Sequence, residues 1–170
     1  VLDVSLDKNR QGLEKALAAG AEVFYVDHHF AGDIPESKQL TAIINPAADV
    51  CTSILVNHHL DGQFVEWAIC GAFGDNLKKS ASVLAKPLKL AAAQLQSLEN
   101  LGIYINYNGY GSSLEDLHFT PEALYRQVVQ HASPFGFMSE DRASFEKLEN
   151  GYRADMAAAA SLQAEFANPH

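Results

Sequence analysis

An acid and two histidines follow a short apolar run, and this junction constrains the fold more than any other stretch. Residues 23–26 read Val-Phe-Tyr-Val, which is typical of a buried strand, and Asp27, His28 and His29 come directly after them. Successive side chains of a strand point to opposite faces, so we expect Asp27 and His29 on one face and His28 on the other. Because ligands bind beyond the carboxyl ends of strands in open α/β sheets, the three groups are candidates for a metal site. A surface or capping pair of histidines is the competing interpretation.

The segment before this run predicts a strand, a helix and a second strand. Residues 1–6 are strand-like and carry Asp3, and residues 9–19 form an amphipathic helical pattern that ends at Gly20, where a terminating glycine is expected. We therefore predict an α/β fold with a parallel sheet flanked by helices.

A third acid follows another apolar segment. Residues 67–74 are apolar or small, and they stop at Asp75 beside Gly74, which we interpret as a further strand end. Asp3, His28 and Asp75 would then bring two carboxylates and one imidazole to the same crevice. This oxygen-rich set suits Mn²⁺ or Mg²⁺ better than a cysteine-rich zinc site does.

These motifs resemble those of a known superfamily. Asp3, the Asp27-His28-His29 run and the Gly74-Asp75-Asn76 run, in this order, are similar to motifs II, III and IV of the DHH phosphoesterases. That superfamily includes RecJ-type exonucleases, oligoribonucleases, cyclic-dinucleotide phosphodiesterases, exopolyphosphatases and family II pyrophosphatases. The resemblance covers roughly residues 1–77 and includes residues 45–53, which look like the segment between motifs III and IV.

The resemblance implies a role for each motif residue. Asp3 would bridge two metal ions, and His28 and Asp75 would complete the ligand shell of one of them. His29 would donate a hydrogen bond to the scissile phosphate, and Asp27 would orient an imidazole without binding metal. His29 and Asp27 are thus the expected catalytic residues.

The resemblance also implies the chemistry. Two Mn²⁺ or Mg²⁺ ions are expected in the full-length protein, for hydrolysis of a phosphodiester, phosphomonoester or phosphoanhydride. The substrate would be a small phosphorylated molecule such as a short oligonucleotide, a nucleotide or a polyphosphate, and a homodimer is left open. Thr52 and Ser53, at an expected helix start, are either N-cap residues or contacts to a substrate phosphate.

One departure from the family pattern matters. Family members carry an Asp-x-Asp motif on an earlier strand, and no such sequence precedes Asp3. We therefore interpret the chain as a fragment that binds metal poorly and is catalytically impaired. The alternative is a nucleotide- or phosphate-binding regulatory module that keeps the fold without hydrolysis. A third hypothesis is an unrelated doubly wound protein in which the Asp-His-His run is coincidental.

The rest of the sequence changes character near residue 77. We expect a partial catalytic α/β domain over residues 1–77 and a mainly helical connecting region over residues 78–170, where leucine and alanine recur at helical spacing. The formal charge of −9 disfavours a basic groove for long nucleic acid. Cys51 and Cys70 stand alone in apolar stretches, as in a cytoplasmic protein with reduced thiols, and the sequence predicts no membrane span.

Overall fold

The described part of the chain is mainly helical and contains one small parallel sheet. In a computed structural model, which describes residues 1–166, there are eight α-helices and one two-stranded sheet. The strands are β1 (Val23–Asp27) and β2 (Leu40–Ile44). The helices are α1 (Leu6–Ala18), α2 (Thr52–His59), α3 (Val65–Gly74), α4 (Lys78–Ala85), α5 (Ala92–Tyr107), α6 (Pro121–Val128), α7 (Pro134–Glu140) and α8 (Arg142–Phe166). The α/β class is confirmed.

Residues 1–3 extend the sheet on the other side of β1. β1 and β2 are parallel, with Val23 opposite Leu40 and Asp27 opposite Ile44. The amide of Asp3 donates to the Val26 carbonyl at 3.0 Å, and a parallel bridge joins Leu2 to Val26. The strand expected over residues 1–6 is therefore correct only at its start, because α1 already begins at Leu6.

The chain forms two compact units. The first comprises Val1–Ala72 and Asn76–Lys89, and the second comprises Phe73–Asp75 and the described residues from Leu90 onward. In the first unit α1 packs on β1. Four residues that are fully or almost fully buried form a core cluster there: Leu6, Leu13, Tyr25 and Ala31. Gly20 ends α1 with φ of 84°, the left-handed conformation predicted for it. The domain division at residue 77 stays a prediction.

The strand expected to end at Asp75 is wrong, because residues 65–74 form helix α3. Ala68, Ile69, Cys70 and Ala72 are all buried, so the segment is apolar on more than one face. An uninterrupted apolar run does not distinguish a buried strand from a buried helix by periodicity, which explains the error. Asp75 lies in the turn after α3.

The second unit is helical, as the sequence predicts for this region. Thr120 caps α6 by accepting a hydrogen bond from the amide of Ala123, and Asp141 accepts one from Ser144 at the start of α8. Residues 135–138 lie within α7, where Phe137 is fully buried.

Close packing in this unit depends on two glycines. A Cβ atom on Gly74 would lie 2.8 Å from the carbonyl oxygen of Gly102 in α5. A Cβ atom on Gly151 in α8 would lie 2.5 Å from the ring of His118. That ring is held by Asp155, whose Oδ2 lies 3.0 Å from Nε2 of His118.

Candidate metal centre

Asp27 and His29 form a fixed pair at the end of β1. Asp27 is completely buried, and its Oδ1 lies 2.7 Å from Nδ1 of His29. Because an ionised carboxylate can only accept, Nδ1 of His29 carries the proton and donates it. In the neutral imidazole, this hydrogen bond leaves the lone pair on Nε2 of His29, which is the arrangement found for histidines that bind metal.

His28 is oriented by the backbone. Its Nδ1 lies 3.1 Å from the carbonyl oxygen of Val50, which can only accept, so Nδ1 is the donor here as well. Nε2 of His28 lies 3.5 Å from Oδ1 of Asp3. The two imidazole rings are close neighbours, with their centroids 4.4 Å apart.

Asp3 completes the cluster from a second segment of chain. Its φ of 59° lies in the left-handed region, which is uncommon for residues other than glycine, asparagine and aspartate. The hydroxyl of Thr52 donates to Oδ1 of Asp3 at 2.6 Å and so anchors this conformation. Thr52 is the first residue of α2, so the carboxylate also lies at the positive end of the helix dipole.

The three groups converge on one point. One ligand atom each from Asp3, His28 and His29 can be chosen so that all lie within 4.8 Å of one another. Two ligands of one ion at bond lengths of about 2.0–2.2 Å lie at most about 4.4 Å apart, so small side-chain rotations would bring this set to bonding distance. The arrangement can hold a divalent cation, because two imidazoles and one carboxylate each offer a ligand atom in the same place.

The structure changes the roles expected within the Asp27-His28-His29 run. Strand alternation predicts His28 and His29 on opposite faces, and this is wrong, because β1 ends at Asp27 and the backbone turns after it. Both imidazoles therefore lie in the same cluster with Asp3, so His29 becomes a candidate ligand as well as the predicted substrate contact. Asp27 has the geometry expected for the orienting acid.

The remaining predicted site residues have different positions. Asp75 groups with the second unit and is not one of the three clustered ligands, so its metal role stays a prediction. Ser53 donates to the carbonyl of Ala68 in α3, and a Cβ on Gly71 would lie 2.7 Å from its hydroxyl oxygen. Neither Thr52 nor Ser53 is the N-cap of α2, since Cys51 occupies that position.

Two features of the site are not visible in the sequence: the carbonyl of Val50 and the unsatisfied Oδ2 of Asp27. The Val50 carbonyl that orients His28 is a backbone group, so no residue type signals it. Oδ2 of Asp27 is buried without a hydrogen-bond partner, which leaves the orienting carboxylate only half satisfied. A buried carboxylate oxygen of this kind is costly unless a nearby positive charge compensates it, and a cation on His29 would supply such a charge.

The comparisons give no relative for this chain. No protein-family model, curated protein or solved structure matches it.

Among the described residues there is also no helix with the length and apolar character needed to cross a membrane. Both cysteines are buried and unpaired, as the sequence predicts, and burial raises the pKa of the Cys70 thiol to about 12.

Proposed function

We propose that Asp3, His28 and His29 bind a divalent cation and that the protein is a metal-dependent phosphoesterase of the DHH type. The site would bind Mn²⁺ in preference to Mg²⁺. The observation that carries the proposal is the convergence of three ligand groups, each held by a second partner. Two imidazoles with one carboxylate favour Mn²⁺ over Mg²⁺, because Mg²⁺ prefers oxygen ligands.

The residues of the chain prepare the site for a phosphorylated substrate. When bound, the cation activates a water molecule and neutralises charge on the phosphoryl oxygens. Asp27 holds the imidazole of His29 in one tautomer, and Val50 does the same for His28. The amino end of α2, at Thr52, directs a positive dipole at the same place and supports an anionic substrate.

A non-catalytic module is the second candidate function. Among the described residues, Asp3, His28 and His29 form the one cluster of three or more ligand groups. This cluster supplies enough side chains for a single ion. A two-ion mechanism needs further ligands, of which Asp75 is the candidate predicted from the sequence. In this second candidate, the chain holds one ion and binds a nucleotide or another phosphate without hydrolysing it.

Metal binding and hydrolysis by the purified chain separate these outcomes. Calorimetric titration with Mn²⁺ should show binding that Asp3→Asn and His28→Gln each weaken at least tenfold. His58→Gln is the matched control, because His58 is exposed on α2 and lies outside the cluster. A panel of bis-p-nitrophenyl phosphate, p-nitrophenyl phosphate, pyrophosphate and a dinucleotide then tests hydrolysis with Mn²⁺.

Each result has one meaning. Mn²⁺-dependent hydrolysis that is lost in His28→Gln supports the phosphoesterase. Binding of Mn²⁺ and phosphate without turnover supports the regulatory module. Wild-type protein that binds Mn²⁺ no better than Asp3→Asn would overturn both proposals.

A further inference from the structure

The parallel sheet of the first unit has an open edge at β2. β1 lies between residues 1–3 on one side and β2 on the other, and it makes backbone hydrogen bonds to both. Within the part of the chain that the structure describes, no further strand pairs with β2. β2 is therefore the outermost strand of the sheet.

The register shows which backbone groups of β2 face outward. Gln39 accepts a hydrogen bond from β1 at 2.7 Å, and Asn45 donates one to β1 at 3.2 Å. Because every second residue of a parallel strand bonds to the same neighbour, Thr41 and Ile43 also face β1. The backbone groups of the residues between them face away from the sheet: Leu40, Ala42 and Ile44.

Most of these outward groups have no partner. The Leu40 amide donates to the Ser37 carbonyl at 3.2 Å, which closes a local turn. Among residues 1–166, the amides of Ala42 and Ile44 and the carbonyls of Leu40, Ala42 and Ile44 make no hydrogen bond. Unpaired groups along an edge strand are a template on which a strand of another chain can pair.

β2 also lacks the features that protect an edge strand. Monomeric proteins place lysine, proline or a bulge on such strands, whereas β2 reads Leu-Thr-Ala-Ile-Ile. Residues 39–48 are uncharged, although the chain carries a formal charge of −9. Leu40 and Ile44 pack against the core cluster of the first unit but stay only partly buried, so a further strand would cover them.

We propose that β2 pairs with β2 of a second copy of this chain, antiparallel about a two-fold axis at Ala42. One continuous sheet then crosses the dimer, and the same surface of each copy forms the interface. The inference goes beyond the proposed function, because it uses no residue of the candidate metal centre.

The free groups of β2 are complementary to those of an identical strand. In an antiparallel pair, alternate opposite residues exchange two hydrogen bonds. Ala42 of one copy would exchange both bonds with Ala42 of the other. The Ile44 amide of each copy would donate to the Leu40 carbonyl of the other, and the side chains of these two residues would pack together across the interface.

The charges beyond the strand ends favour the antiparallel direction. Lys38 precedes β2, and Asp49 follows it. In the antiparallel dimer, Lys38 of one copy lies at the end where the other copy carries Asp49. A parallel pairing would bring like charges together. A second copy thus matches the edge of β2 in hydrogen bonds, apolar side chains and charge.

Sedimentation velocity over a concentration series measures the association. We expect the wild-type chain to change from monomer to dimer as its concentration rises. Ala42→Pro removes the outward amide at the centre of the edge and keeps the bonds to β1, which Thr41 and Ile43 make. This variant should dimerise at least tenfold more weakly, while its circular dichroism spectrum stays that of the wild type.

A second variant tests the interface without changing the backbone. Thr41 is exposed, and in the dimer its side chain would lie opposite Ile43 of the other copy. Thr41→Asp would place a charge beside this apolar side chain and should weaken dimerisation at least tenfold. Thr41→Ser is the matched control and should associate as the wild type does.

Cysteine crosslinking tests the register. Thr41 and Ile43 of the other copy would form a pair without mutual hydrogen bonds, with Cα atoms about 4.5 Å apart, which is within disulfide reach. Thr41→Cys with Ile43→Cys should therefore give a covalent dimer on oxidation. Thr41→Cys alone is the control, because its two copies would lie on a diagonal, about 7–8 Å apart. Both native cysteines are buried.

Three results would refute the proposal. A wild-type chain that stays monomeric at every concentration would show that a second copy does not cover β2. A dimer that neither Ala42→Pro nor Thr41→Asp weakens would place the interface on another surface. A dimer that the double cysteine variant does not crosslink would exclude the antiparallel register. All three readouts are taken without metal, so they are independent of the test of the proposed function.

Discussion

Replacing Asp27 by asparagine tests how the candidate metal centre is held together. The wild-type carboxylate accepts a 2.7 Å hydrogen bond from His29, and this bond fixes the imidazole with Nε2 directed away. Asparagine keeps the shape and can still accept through Oδ1, but it carries no charge. A hydrogen bond to a charged group contributes roughly 1.5–3 kcal/mol and a neutral one roughly 0.5–1.5 kcal/mol.

The difference sets the expected size of the effect. A loss of about 1–1.5 kcal/mol in the orientation of His29 corresponds to roughly a tenfold loss of metal affinity. Mutations of groups that orient a metal ligand cost about 10–100-fold in affinity, which agrees with this value. The fold should not suffer equally, because Asp27 is fully buried and its Oδ2 is unpartnered, so the change removes a poorly compensated charge.

Calorimetry with Mn²⁺ and a thermal melt measure the two quantities separately. We expect Asp27→Asn to bind Mn²⁺ about tenfold more weakly with a melting temperature at or above the wild-type value. Asp33→Asn, at an exposed loop position, is the matched control and should change neither.

A double-mutant cycle shows whether the effect acts through His29. In a His29→Gln background, Asp27→Asn should cause almost no further loss of affinity, because the imidazole that it orients is gone. Additive losses in the double mutant, or an affinity within twofold of wild type in Asp27→Asn alone, would refute the assigned role of Asp27.

Three further changes test other parts of the structure. Thr52→Val removes the donor to Asp3 and should lower Mn²⁺ affinity severalfold in calorimetry, while the melting temperature stays nearly constant; an unchanged affinity would contradict the anchoring role. Gly151→Ala should lower the melting temperature, because the new methyl group would meet an imidazole ring. Gly136→Ala should raise the melting temperature slightly, because its Cβ would meet only atoms at 3.8 Å or more. Similar shifts in both variants would refute the packing argument. Burial raises the pKa of the Cys70 thiol to about 12. The unfolded thiol therefore ionises first, and the free energy of unfolding should fall by roughly 1.4 kcal/mol per pH unit as pH rises above about 9. Denaturant titrations should show a shallower fall for Cys70→Ala than for the wild type, and equal slopes would contradict this prediction.

The sequence predicts the larger features of the fold because they depend on local chemistry. The helix that ends at Gly20 follows from the capping preference for glycine, and it occurs. Helix α3 was not predictable in the same way. Its run of apolar and small residues is buried on several faces, so hydrophobic periodicity, the main signal for a helix, is weak there.

The candidate site divides along a similar line. Asp3 and His28 can be selected as candidates from the sequence, because both are polar side chains beside strand-like apolar runs. Their orientation is not recognisable, because it depends on the Val50 carbonyl and on a left-handed backbone at Asp3. These are long-range and backbone features that residue identity does not encode.

The end of β1 explains why two adjacent histidines can serve one ion. In a continued strand their side chains would point to opposite faces of the sheet. Because β1 ends at Asp27, the backbone is free to turn, and each imidazole is then fixed by its own partner, a buried carboxylate for His29 and a carbonyl for His28. Each partner occupies Nδ1 of its ring, so Nε2 is the nitrogen of each ring that a cation would bind. Two imidazoles and the Asp3 carboxylate, with ligand atoms within 4.8 Å of one another, form a set that a divalent cation can satisfy.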